Sequence, residues 1–203
     1  MSVQGEAERA SSRRQIWVLV VLFFAPLALA FFLYYGLDGW RPPGSTNYGT
    51  LIHPARPLPE VTLPMAKGGT FERKDWEGKW TIVYIGDGAC DARCREALTL
   101  MRQTRLALGD DMPRVQRAFL VTGNCCDHAY LEREHAGLIT LSVEGRSGEE
   151  LLSAFPQDAP VREAGRIYIV DPLGNLMMSY DPGVPDKGLL KDLERLLKLS
   201  HIG

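Results

Sequence analysis

The stretch Trp76-Glu-Gly-Lys-Trp80-Thr-Ile-Val-Tyr-Ile-Gly86-Asp-Gly-Ala-Cys90-Asp-Ala-Arg-Cys94 decides the fold. Thr81–Gly86 is a short apolar run rich in β-branched residues, which reads as a buried strand. Cys90 and Cys94 follow it and open a helical stretch that runs to about Leu108. At i, i+4 on the first turn of a helix, the two thiols share one helical face. Ala97, Met101, Thr104 and Leu108 continue that stripe, so both thiols are expected at the mouth of the helix's buried face. A helix N-terminus favours the thiolate through its free N–H groups and dipole. Arg93 and Arg95 add to that effect, and Asp87 and Asp91 oppose it. The spacing has one residue more than Cys-x-x-Cys, which allows a disulfide and leaves room for a soft metal ion between the sulfurs. A purely structural disulfide is the plain alternative.

Downstream, Ala118–Thr122 reads as a second strand, Ala129–His135 as a short helix and Leu138–Val143 as a third strand. Gly148–Phe155 then reads as a helix. Ile167–Asp171 and Leu176–Tyr180 flank Pro-Leu-Gly-Asn, a turn signal, and form a hairpin. Leu189, Leu190, Leu193, Leu196 and Leu197 mark one face of a last helix ending at Leu199. The order βαβαβα and then ββα predicts an α/β, thioredoxin-like domain with one added strand–helix unit.

Cys125 and Cys126 follow the second strand in Thr-Gly-Asn-Cys-Cys-Asp-His128. The carboxyl ends of neighbouring parallel strands share one edge of a sheet, so the two cysteine pairs are expected to face each other there. Three roles stay open for this second pair. It resolves a disulfide from Cys90 or Cys94, or supplies soft copper ligands together with His128, or forms a loop disulfide or inert thiols. A zinc site from Cys125, Cys126, His128 and His135 fits no standard spacing. His135 reads as a surface residue at a helix end, His53 as a surface residue, and Met177 with Met178 as core packing.

Upstream, Ile16–Tyr35 holds 20 residues without a charge, about 30 Å of helix and the thickness of a bilayer's hydrocarbon core. Trp17 at one end and Tyr34, Tyr35 and Trp40 at the other match an aromatic belt. Arg9, Arg13 and Arg14 precede the run and Arg41 follows it, which puts the N-terminus in the cytoplasm and the rest across the membrane. Cleavage after Ala28-Leu29-Ala30 is disfavoured because Phe31, Phe32 and Leu33 continue the apolar run. The expected organisation is a cytoplasmic tail over 1–15, a single transmembrane helix over 16–36, a Pro/Gly-rich linker over 37–59 and the domain over 60–203. The chain has 203 residues, with 23 Lys plus Arg against 25 Asp plus Glu, for a formal charge of −2. That balance gives no electrostatic footprint for nucleic acid. No phosphate-binding loop, Ser-His-Asp set or paired-carboxylate site stands out.

Trp76–Cys94, with Gly137–Gly145, Glu149-Glu-Leu-Leu and Ile167–Gly174 in the same order, resembles the SCO/SenC proteins, thioredoxin-fold assembly factors of cytochrome c oxidase. The resemblance covers roughly residues 60 to 200, and the N-terminal anchor agrees with it. It implies a periplasm-facing assembly factor on the inner membrane. Cys90 and Cys94 would act as copper(I) ligands or as a reducing dithiol, and the partner would be a respiratory oxidase subunit or another exported thiol or copper protein. The family's copper-binding His, four residues before the Ile-Tyr strand, is Glu163 here, and the Pro that usually follows the first Cys is Asp91. No Pro directly precedes Ile167, where thioredoxins carry one. A general thiol–disulfide oxidoreductase and a non-catalytic interaction module are the rival expectations.

Overall fold

The computed structural model describes residues 4–36, 46–123 and 125–200. The chain divides into two units, 1–45 and 46–203. In the first unit, helix α1 (Gln4–Gly36) runs through Pro26. Its section Arg14–Leu33, 20 residues, is long and apolar enough to cross a membrane, and none of it is buried within the chain. Trp17, Leu22, Phe23, Phe24 and Phe31 all stand exposed on this helix. Water penalises such a surface and lipid does not. The helix begins well before the expected Ile16 boundary, and Trp40 and Arg41 lie outside the described residues.

The second unit is built on a sheet of six strands. These are β1 (Thr50–Pro57), β4 (Trp80–Asp87), β5 (Val115–Thr122), β6 (Leu138–Ser142), β7 (Ile167–Val170) and β8 (Asn175–Tyr180), in the order β1-β8-β7-β4-β5-β6. A small hairpin of β2 (Leu63–Pro64) and β3 (Thr70–Phe71) lies apart from it. β4, β5 and β6 run parallel, while β7, β8 and β1 are antiparallel to their neighbours. The helices are α2 (Ala92–Ala107), α3 (His128–Glu134), α4 (Arg146–Ser153) and α5 (Asp186–Leu199). β4 is buried along nearly its whole length, which explains its unbroken apolar sequence. Trp80, Ile82 and Tyr84 join Leu98 and Met101 of α2 and Leu193 of α5 in one core. The alternate residues Val83 and Ile85 join Trp76, Leu151 and Phe155 in the other. Each such Leu or Phe contributes about 2 kcal/mol by its burial. Gly148 lets α4 approach the end of β6, because a Cβ there would stand 2.0 Å from the Val143 carbonyl oxygen.

The strand and helix order matches the expected thioredoxin-like pattern, but the expected linker over 37–59 does not hold throughout. Its part 37–45 lies outside the described residues, whereas Thr50–Pro57 is the edge strand β1, paired antiparallel with β8. An edge position tolerates Pro54 and Pro57, which would break a central ladder. A buried carboxylate holds the start of this strand. Asp192 accepts hydrogen bonds from the N–H groups of Tyr48 and Gly49, each at 2.9 Å, and from the Tyr180 hydroxyl at 3.1 Å. Burial, and then the Asp192 charge, hold the Tyr180 phenol well above its usual range. Gly49 is required here because a Cβ would meet the Tyr180 ring at 2.6 Å.

Candidate functional site

The first cysteine pair sits where β4 ends. Gly88 N–H donates to the Thr122 carbonyl at 3.1 Å, tying the turn to the end of β5. The Asp87 carboxylate accepts from Ala89 N–H at 2.7 Å, and its carbonyl accepts from Cys90 N–H at 3.0 Å. Cys90 has φ +48°, the left-handed region that L side chains rarely adopt. Asp91 then caps α2, its Oδ1 accepting from Cys94 N–H at 2.9 Å. The expectation that both cysteines lie on the first helical turn is therefore corrected. Cys94 lies on that turn, and Cys90 precedes the cap. The two form a disulfide with their Cα atoms 5.0 Å apart.

Asp91 is more than an opposing charge. It satisfies an otherwise unpaired N–H of α2 and lies 3.7 Å from Arg93. The stripe behind the pair is Leu98, Met101 and Thr104, with Ala97 only half-buried.

Cys90 and Cys94 are 3% and 2% exposed, so the disulfide is nearly covered. Cys94 nevertheless lines a cleft of about 590 Å³ with Tyr84, Asp87, Asp91, Arg162 and Glu163. Burial, and then the Asp91 charge, raise the Tyr84 phenol above its usual range, so it stays a neutral donor there. Arg162 is held by Glu144 at 3.2 Å and Glu149 at 2.5 Å. A smaller pocket of about 240 Å³ shares Arg93 and Gly165 with the cleft and is walled by Leu100, Ile167, Val184 and Leu189. Arg166, directly before β7, is clamped by Asp158 at 2.7 Å and Asp181 at 2.5 Å.

The structure brings Glu163 to the same cleft as Cys94, whereas Cys125, Cys126 and His128 do not line it. Cys125 and Cys126 are bonded to each other, Cys125 exposed and Cys126 half-buried against the core that holds Cys90 and Cys94. His128 is exposed at the start of α3. Among the described residues, no group of three or more His, Cys, Asp and Glu is placed to hold a metal ion. His53 is exposed and Met178 is buried, as expected.

His135 is not a surface residue. It is 2% exposed, its Nε2 is 2.9 Å from the Tyr130 hydroxyl, and its ring meets that of Tyr130 edge-on. Arg95 does more than favour a thiolate. Its Nε also donates to the Cys90 carbonyl at 3.2 Å, its Nη2 lies 3.6 Å from the Asp127 carboxylate, and its guanidinium stacks 4.3 Å over Tyr130. No local sequence pattern announces that strut, because Asp127 and Tyr130 reach it from another strand–helix unit.

A cysteine pair at the end of a central strand, on a sheet of this order, is the arrangement of a thioredoxin-like domain. Residues 80–200 match the family described as transmembrane-like, thioredoxin-like, C-terminal domain, and the chain belongs to that family. No curated protein sequence matches the chain. Among solved structures, copper-bound yeast Sco1 is similar with a TM-score of 0.60 and 17% identity, covering 71% of this chain and 94% of that one. Apo Sco1 from Thermus thermophilus is similar with a TM-score of 0.61 and 18% identity, covering 76% and 99%. The thioredoxin domain of a thiol-disulfide oxidoreductase from Bacteroides vulgatus gives 0.54 and 18%, covering 69% and 94%. At these identities the likeness is one of fold.

Proposed function

We propose that the chain is a membrane-anchored, periplasm-facing assembly factor of the Sco kind for a respiratory cytochrome oxidase. It works through Cys90 and Cys94 as a reducing dithiol and as the holder of copper(I) cargo. The carrying observation is the Cys90–Cys94 pair at the carboxyl end of β4, with Cys94 opening onto a cleft. The fold likeness to copper-bound yeast Sco1 supports the cargo. Helix α1 supports the anchor, and the arginines before its apolar section support the periplasmic side.

The donor set decides which copper ion fits. Two thiolates suit copper(I), which is soft and accepts low coordination, whereas copper(II) wants nitrogen or oxygen partners as well. Glu163 offers a hard oxygen where the family resemblance places a His. Retention of cargo should therefore depend on reduction of the pair and be specific for copper(I).

The full chain in detergent, reduced and loaded with copper(I), should keep a single ion through desalting against a copper(I) chelator. After loading with copper(II) it should keep none. A general thiol–disulfide oxidoreductase is the second reading, supported by the fold likeness to the thioredoxin domain of the Bacteroides vulgatus thiol-disulfide oxidoreductase. Failure to retain copper(I), together with turnover of a disulfide peptide, would replace the first reading by the second. Failure of both would leave an interaction module. For the topology, an enzymatic reporter fused to the carboxyl end should be active only outside the cytoplasm. Activity inside would overturn the periplasmic assignment.

A further inference from the structure

We propose that Cys125 and Cys126 receive electrons from an external protein dithiol and pass them to Cys90 and Cys94. The proposal rests on Cys90 and Cys94 being the working dithiol. Three placements carry it. β4 and β5 end in register, Asp87 opposite Thr122, and Cys90 and Cys125 each lie three residues beyond those ends. Neighbouring strands are about 4.8 Å apart, so the two loops leave the sheet side by side. Cys126 packs against the core that contains Cys90 and Cys94, while Cys125 faces solvent. Arg95 fastens the loops together, holding the Cys90 carbonyl with one nitrogen and the carboxylate of Asp127, next to Cys126, with another. Its positive charge favours a thiolate in either loop.

The accessibilities are complementary. The Cys90–Cys94 disulfide is nearly covered, and the cleft reaches it at Cys94. A protein-sized reductant therefore finds Cys125 more readily than Cys90 or Cys94. Once the external dithiol has reduced the second pair, the Cys126 thiolate attacks the Cys90 sulfur. The Cys90–Cys94 bond breaks, a Cys90–Cys126 disulfide forms and Cys94 leaves as a thiolate. The Cys125 thiolate then attacks Cys126 and releases Cys90. Two electrons and two thiol protons have moved from the second pair to the first, and the second pair ends as a disulfide. The exchange itself needs no other oxidant or reductant.

Reduction of Cys90–Cys94 in the full chain in detergent, by reduced thioredoxin, is read by timed alkylation and peptide mass mapping. The Cys125→Ser/Cys126→Ser double variant should lose at least about tenfold in rate, because the intramolecular donor is gone. Equal rates in both chains, or no reduction of Cys90–Cys94 by thioredoxin in either, overturn the proposal. A second variant tests the contact directly. Cys94→Ser/Cys125→Ser, treated with diamide, should form a Cys90–Cys126 disulfide, and alkylation of both thiols without that cross-link overturns the exchange. Dithiothreitol, small enough for the cleft, separates the two hypotheses. If it fails to reduce Cys90–Cys94 without denaturant in the wild-type chain, the working dithiol itself fails.

Discussion

Cys94→Ser is expected to abolish both turnover of a disulfide peptide and copper(I) retention, with the domain still folded. A single thiol attacks a substrate disulfide but has no partner to resolve the mixed disulfide, so turnover stops at the first exchange. Loss of an oriented intramolecular partner should lower the rate by about 10³-fold or more. Copper(I) loses one of its two soft donors, and Glu163, also on the cleft, is a hard replacement. Cys90→Ser should behave in the same way, and Glu163→Ala should leave copper(I) retention nearly unchanged. Stability is the control. The Cys90–Cys94 disulfide spans a separation of four residues, and closing so short a loop contributes about 2 kcal/mol. Both variants should therefore unfold like the reduced wild-type chain, and below the oxidised one. If either single variant holds copper(I) as tightly as the wild type, the metal is held elsewhere and the Sco-like mechanism has to be abandoned.

What was legible from the sequence was local. β4 shows itself by an unbroken apolar run, the β7–β8 hairpin by its Pro-Leu-Gly-Asn turn, and α5 by leucines at helical spacing. Glu163 stands out only through the family resemblance, which places a His four residues before Ile167, a distance too short for the chain to wander. What stayed hidden depends on contacts between remote segments. β1 has little apolar alternation, and it forms because β8 offers a free edge and Asp192 captures the two N–H groups just ahead of it. The left-handed backbone of Cys90 has no signature in a non-glycine residue. Asp91 resembles any acidic residue beside a cysteine until the helix is seen to begin one residue later. His135 reads as the end of a short polar helix, and only the packing of α3 against β5 and α2 shows that it is enclosed.

That enclosure predicts a steep loss of stability in mild acid. Burial holds the His135 imidazole down at about 4, from an ordinary 6.5, with the positive charges of Arg117 and then Arg102 adding to the effect and Glu134 opposing it. The groups that face it come from three elements. Arg117 on β5 is itself buried, with its Nε and Nη1 unpartnered. Arg102 on α2 donates to the Glu134 carbonyl at 2.6 Å, and the Tyr130 hydroxyl on α3 meets the ring nitrogen. The folded chain thus keeps His135 neutral where the unfolded chain protonates it. Between about pH 6.5 and pH 4 the unfolded state binds more protons, so stability rises with pH across that window and falls as the medium is acidified. Above the window neither state is protonated, below it both are, and the contribution is flat at each end. The full difference is worth up to about 3 kcal/mol. His135→Gln removes the titration and keeps a hydrogen-bonding group opposite Tyr130. Denaturant unfolding of both chains in detergent, repeated across this range, should show the wild type losing more stability than the variant on acidification, by up to about 3 kcal/mol. A constant difference between the two would mean that the folded protein protonates His135 as readily as the unfolded chain does. The consequence for the site follows from Tyr130, whose ring meets both His135 and the Arg95 guanidinium. Protonating His135 is expected to loosen α3, and with it the strut from Arg95 to the Cys90 carbonyl, so protection of the α3 amides from hydrogen exchange should fall more on acidification in the wild type than in His135→Gln.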